Sequence, residues 1–191
     1  MFISQLKVFC SAIFLLLCTH VMSSPTLKLI PNNNEVIENK NFVINVVAED
    51  LQDLYAWQFD LKFNPLILKA NKIEEGSFLS NQGHTFFLSG DIDNNNGRVT
   101  GTIASLLGNQ AGVTGIGVLA QLSFTSLSLG MSNLELENYL LVNSNISEIN
   151  VNSINSSVSV VPVPEPEIYG MLIAGIGLIN IVKKRKKILI S

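Results

Sequence analysis

Residues 54–63 alternate without a break, with Tyr55, Trp57, Phe59, Leu61 and Phe63 in one register and Ala56, Gln58, Asp60 and Lys62 in the other. A period of two is that of a β-strand, whose successive side chains point to opposite faces, so the stretch predicts a strand with one dry and one wet face. Burying five such side chains is worth on the order of 10 kcal/mol at about 2 kcal/mol each. An isolated hairpin has nothing to cover them with. A second sheet must do so, and the alternation therefore predicts a sandwich.

The rest of the central chain agrees. Further strand candidates are residues 42–48, 69–73, 85–88, 98–104, 117–124, 133–136, 139–142 and a last run around 158–161. Between them stand turn formers: Asn64-Pro65, Gly76, Asp93-Asn94-Asn95-Asn96-Gly97, Gly108, Gly112, Gly115 and Gly130. Many short strands spaced by such turns indicate an all-β sandwich, and no long helical stripe or internal repeat competes with it.

The two ends have a different composition. Residues 1–23 carry Lys7 as their only basic side chain, then an apolar run over 8–18 and small or polar residues, with Val21 and Ser23 suiting a cleavage site. This is the three-part pattern of a secretory signal peptide, and it predicts export with a mature chain starting near Ser24. Cys10 and Cys18 both fall in that leader. The mature chain then has no cysteine for a disulfide, a thiolate metal site or a nucleophile. Residues 25–163 hold six basic against thirteen acidic side chains. Such a surface repels phosphate backbones, which argues against nucleic acid as a partner.

Residues 168–182 form a run of fifteen whose only polar member is Asn180, followed by Lys183, Lys184, Arg185, Lys186 and Lys187. As a helix the run would be about 22 Å long at 1.5 Å per residue, against a hydrocarbon core of roughly 30 Å. A buried core helix competes on length. The basic cluster favours a membrane span, because positive charge stays on the cytoplasmic side and long Lys stems can snorkel. The expected topology is body outside, C-terminus inside.

Just before that run stand Pro164, Glu165 and Pro166. This tripeptide, a short glycine-rich apolar helix and a terminal basic cluster, in that order, resemble the PEP-CTERM protein-sorting signal over about the last 28 residues. The resemblance implies processing near the motif by an exosortase-type enzyme. It also implies a route from the inner membrane to the cell envelope or extracellular matrix of a Gram-negative bacterium. Two prolines hold the motif extended and out of the helix, which suits a processing site.

The body, too, resembles a family. Along residues 26–152 run Phe59-Asp60-Leu61-Lys62-Phe63-Asn64-Pro65, then Gly76-Ser77-Phe78-Leu79, Phe86-Phe87, Gly97-Arg98-Val99-Thr100-Gly101 and the stretch from Gly112 to Leu119. Their order and spacing are similar to those of the cohesin domain of cellulosome scaffolding proteins. That resemblance implies a jelly-roll β-sandwich of about nine strands that docks dockerin modules on one sheet face. Ala56 and Gln58 occupy outward positions where dockerin-binding members carry Asn and Asp, and Phe63-Asn64-Pro65 replaces Tyr-Asp-Pro. The domain plan is then a signal peptide over 1–23, a cohesin-like sandwich over 24–161, and a sorting and anchoring segment over 162–191.

Catalytic groups are sparse. His84 is the one histidine of the expected mature chain, beside Gly83 in a turn, which leaves no material for a His-based triad or a multi-His metal site. Asp91, Asp93 and Asn95 have calcium-loop spacing, but Gly97 is seventh and Thr102 twelfth where an EF-hand needs Gly sixth and Glu twelfth. A hairpin turn is the better account, with a calcium site as the alternative. Glu74-Glu75 and the Asp50/Asp53 pair read as exposed charges at strand ends rather than as acid/base pairs. Expected, then, is a non-enzymatic surface module without a cofactor, whose ligand is a dockerin-like protein. The alternatives are a polysaccharide ligand or a purely structural role. Trp57 on the buried face counts against sugar stacking.

Overall fold

The computed structural model describes residues 24–163 together with Met171, Gly175 and Ile176. The leader 1–23, the motif Pro164-Glu165-Pro166, the basic cluster at 183–187 and all but those three residues of the run 168–182 lie outside the described residues. Among the described residues no helix is long and apolar enough to cross a membrane.

Over residues 24–163 there are eleven strands, β1 Thr26–Pro31, β2 Glu35–Ile37, β3 Asn41–Lys62, β4 Leu68–Glu75, β5 Thr85–Leu88, β6 Asp91–Asp93, β7 Arg98–Leu106, β8 Val113–Ser126, β9 Gly130–Asn143, β10 Asn152–Ile154 and β11 Ser156–Val161, and a short helix, α1, at Ser77–Ser80. Two expected strands, 42–48 and 54–63, fuse into the 22-residue β3. The candidates at 133–136 and 139–142 likewise fuse into β9. The excess over nine comes from three-residue strands such as β2, β6 and β10, too short to show a period.

β3 builds both layers. Its first half pairs with β1 and β8; its second half pairs with β7 and β9. One sheet therefore runs β10-β1-β3-β8-β4 and the other β2-β11-β9-β3-β7, with β5 and β6 on the free edge of β7. The strand changes sheets at a bend where Asp50 and Asp53 both hold φ at 57°, left-handed conformations that Asp tolerates better than most residues. Strands that cross a sandwich corner need such irregularities.

The core lies between the layers. Trp57 stacks on Phe59 with ring centroids 5.3 Å apart, and Phe63 meets Phe124 of the facing sheet edge-on at 5.2 Å. Trp57, Phe59, Leu61 and Phe63 are buried as the alternation requires. Tyr55 is not: it is half-buried, and its hydroxyl donates to the Gly108 carbonyl at 2.6 Å. A bulge between Leu54 and Ala56 in the pairing with β9 breaks the alternation there, and Leu54 takes the interior place instead.

The bend is held by Asp53 rather than left as an exposed charge. Its carboxylate accepts the Gly112 N–H at 2.6 Å and the Ser144 hydroxyl at 2.7 Å, joining the bend to two loops at one end of the sandwich. The Ser144 hydroxyl first, and the Gly112 N–H next, hold the Asp53 carboxyl below the usual carboxylate range. A lowered folded-state value means that this contribution to stability is present above the unfolded value of about 3.9 and lost as pH falls through the folded one. Asp53→Asn should therefore lower the melting temperature at pH 7, and the gap between the two proteins should close on acidification below about pH 4. Equal melting temperatures at pH 7 would show the clamp to be idle.

Candidate functional site

The outer face of the sheet β9-β3-β7-β5 carries two cross-strand rows. In one, Leu140 lies opposite Gln58, Gln58 opposite Ile103, and Ile103 opposite Leu88. In the other, Val142, Ala56, Ser105 and Phe86 follow in the same order. Outward positions of a sandwich sheet are ordinarily polar. Here Phe86 and Leu88 stand 51% and 52% exposed, with Leu140 also exposed and Ile103 and Val142 half-buried. The result is a contiguous apolar platform four strands wide, the kind of exposed patch that marks a docking surface.

At its centre Ala56, Gln58, Ile103, Leu140 and Val142, with Trp57 between the first two on the strand, line a dimple of about 90 Å³. The small side chain of Ala56 leaves this space open. It suits one aliphatic side chain of a partner and is too small for a sugar ring to lie flat in. Toward the other end of the same face the surface turns polar. Asp60 accepts the Gly101 N–H and the Asn138 side-chain amide, both at 2.8 Å, and Arg98 pairs with Glu137 at 2.8 Å.

The polar residues singled out by spacing have structural work. Asp93 accepts the backbone N–H groups of Asn95 and Asn96 at 2.9 and 3.1 Å and the Asn96 side-chain amide at 2.6 Å, which closes the β6–β7 turn. Those bonds, the Asn96 side chain first, hold its carboxyl below the usual range. Asn94 reaches across to β4, giving and taking hydrogen bonds with the Ala70 backbone at 2.9 and 2.8 Å. The Asp91–Asn95 segment is thus a hairpin turn pinned to its neighbour. His84 is exposed. Glu75 accepts the Thr85 hydroxyl at 2.9 Å, and Glu74 pairs with Lys72. Among the described residues no three His, Cys, Asp or Glu side chains come together as metal ligands would.

Sequence reasoning identified Ala56 and Gln58 as outward but missed Phe86, Leu88, Ile103 and Leu140. One signal was available: β5 reads Thr-Phe-Phe-Leu, apolar on both faces, although it lies on the sheet edge.

The sequence model of the cohesin domain matches residues 28–170. No curated protein matches the chain. Among solved structures, the second type II cohesin module of the adaptor scaffoldin ScaA from Acetivibrio cellulolyticus is similar at a TM-score of 0.63 and 13% identity, over 76% of this chain and 95% of that one. A non-cellulosomal cohesin from the hyperthermophilic archaeon Archaeoglobus fulgidus is similar at a TM-score of 0.58 and 15% identity, over 78% and 98%. A type I cohesin–dockerin complex from Clostridium thermocellum is similar at a TM-score of 0.57 and 12% identity, over 71% and 99%.

Proposed function

We propose that this chain, which belongs to the cohesin domain family, is a non-catalytic docking module whose apolar platform receives a dockerin-like protein partner. The platform carries the reading: two aligned rows of outward side chains, largely apolar, over a dimple sized for one aliphatic group. Affinity in such a face concentrates in a few desolvated anchors. Where dockerin-binding relatives offer amide and carboxylate at the two outward positions of this strand, Ala56 and Gln58 offer a socket and a single amide. The fitting partner presents an apolar helix face with one protruding Leu, Ile or Met. Trp57, the natural sugar-stacking ring, is only 2% exposed, so a polysaccharide ligand has less to support it.

A panel of purified dockerin modules tested against the immobilised chain decides the matter. Ile103→Asp places a charge beside the dimple and should weaken capture at least ~30-fold, the equivalent of about 2 kcal/mol at a central anchor. Ser123→Asp, on the opposite sheet, should leave it unchanged. Equal binding by both variants, or retention on polysaccharide instead, would remove the proposal.

The ends of the chain support export and sorting as part of the same function. Residues 1–23 direct the body out of the cytoplasm, 168–182 hold it at the inner membrane, and Lys183, Lys184, Arg185, Lys186 and Lys187 set the orientation. Exosortase-type processing near Pro164-Glu165-Pro166 then releases the module to the envelope or matrix. Intact mass of the native surface-released protein should end near residues 164–166, and should extend to Ser191 when the two prolines are replaced by Ala. A native product that retains residues 168–191 would identify a permanent anchor instead.

A further inference from the structure

We propose that the end of the sandwich from which the chain leaves toward its C-terminus is seated on the bilayer surface, holding the docking platform away from the lipid. The inference rests on the anchoring reading of residues 168–182 and concerns a different surface from the docking face.

The exit point is fixed by register. Val160 lies opposite Gly130, and the Glu38 N–H donates to the Val161 carbonyl at 3.0 Å, so β11 ends at the start of β9. Leu140 of the platform is ten residues farther along β9, about 33 Å away at 3.3 Å per residue. Around the exit, apolar side chains stand in water: Leu66 at 78%, Met131 at 63%, Val163 at 57% and Leu129 at 53%, with Leu127 beside them. They are neighbours in the fold, since the Leu127 N–H donates to the Ile67 carbonyl at 2.7 Å and Met131 lies opposite Ser159. The charges nearby balance, Lys40 and Lys69 against Glu35 and Glu38, so a partner surface would be held by apolar contact and not by its charge.

The tether selects the occupant. Four residues separate Val163 from residue 168, and the five steps between the two span at most about 18 Å even at full extension. Each headgroup layer takes up about 5–8 Å of that reach. The exit end therefore lies within about 13 Å of the headgroups whenever the run 168–182 is in the bilayer. Five exposed apolar side chains held that close gain by entering the interface, where a large apolar surface is buried without crossing. The opposite end also exposes apolar side chains, Ile116 at 64% and Ile146 at 84%. Exposure alone does not choose between the ends; the short tether does.

The test uses the chain from Ser24 to Ser191, uncleaved at its C-terminus and without cysteine, in phosphatidylcholine vesicles with and without nitroxide-labelled lipid. An environment-sensitive fluorophore is attached through Leu129→Cys or, as control, Ile146→Cys. Flotation with the vesicles reports anchoring. The label at 129 should shift to the blue and be quenched by the nitroxide lipid, while the label at 146 does neither, and high salt should not change the result. Adding Leu66→Asp should reverse the shift at 129 while the chain still floats. A floating chain with an unquenched label at 129, or with equal quenching at both sites, overturns the seat and leaves the anchor standing. A chain that does not float overturns both, and neither result touches dockerin capture, which is measured without lipid.

Discussion

Trp57→Ala is expected to cost ~3–5 kcal/mol of stability, the range for removing a large buried aromatic. Trp57 is packed from two sides: Phe59 stacks on it at 5.3 Å between centroids, and Phe87 of β5 meets it at 6.3 Å and 54°. The backbone that carries it is fixed on both edges, with Trp57 opposite Ala104 of β7 and Leu141 of β9. A site so enclosed has little freedom to collapse around the missing ring, so the cavity term adds to the lost transfer energy. Chemical denaturation should show the midpoint falling with an unchanged slope, because the surface exposed on unfolding is nearly the same. A loss below about 1 kcal/mol would contradict the enclosure described for this residue.

Trp57 also shows what the sequence makes legible. Its inward register followed from the alternation over 54–63, which depends only on side-chain period and therefore survives without a partner sequence. The same reasoning failed at Tyr55, where a bulge, set by pairing with β9, put Leu54 inside. It failed again at the fusion of 42–48 with 54–63: Asp50 and Asp53 look like a polar break, but they continue the strand through two left-handed residues. Bulges and corners are decided by which strands meet across the sheet, and that information is long-range. The platform is long-range in the same sense. Leu88, Ile103, Gln58 and Leu140 come from three separate strands besides β3 and have no common spacing in the chain, so only the register brings them into one row. Asp93 was legible in part, since its turn chemistry was read correctly while the Asn94 bridge to β4 was not.

Gly97→Ala, in the β6–β7 turn, should cost about 2–5 kcal/mol, whereas Gly101→Ala, four residues on in β7, should cost about 1–2 kcal/mol. The two glycines share a backbone requirement, with φ at 66° and 72°, so each substitution carries the left-handed penalty of about 1–2 kcal/mol for an L-residue. They differ in what a side chain would meet. A Cβ on Gly97 would lie 2.2 Å from the Phe63 carbonyl oxygen and 2.6 Å from Cδ of Pro65, while one on Gly101 would meet nothing within 4 Å. At Gly97 the obstacle is backbone, and that backbone cannot retreat freely: the Phe63 N–H donates to the Gly97 carbonyl at 2.8 Å, and Phe63 itself is packed edge-on against Phe124. Relief of the clash must therefore strain either the β6–β7 hairpin or the core contact between the two sheets. That adds about 1–3 kcal/mol of overpacking to the conformational cost. Parallel urea titrations of the two variants isolate the steric part, because the conformational part is common to both. A difference below about 0.5 kcal/mol would mean that the turn shifts away from Phe63 at little cost. A full difference would identify Gly97 as the residue that lets this hairpin close against the core.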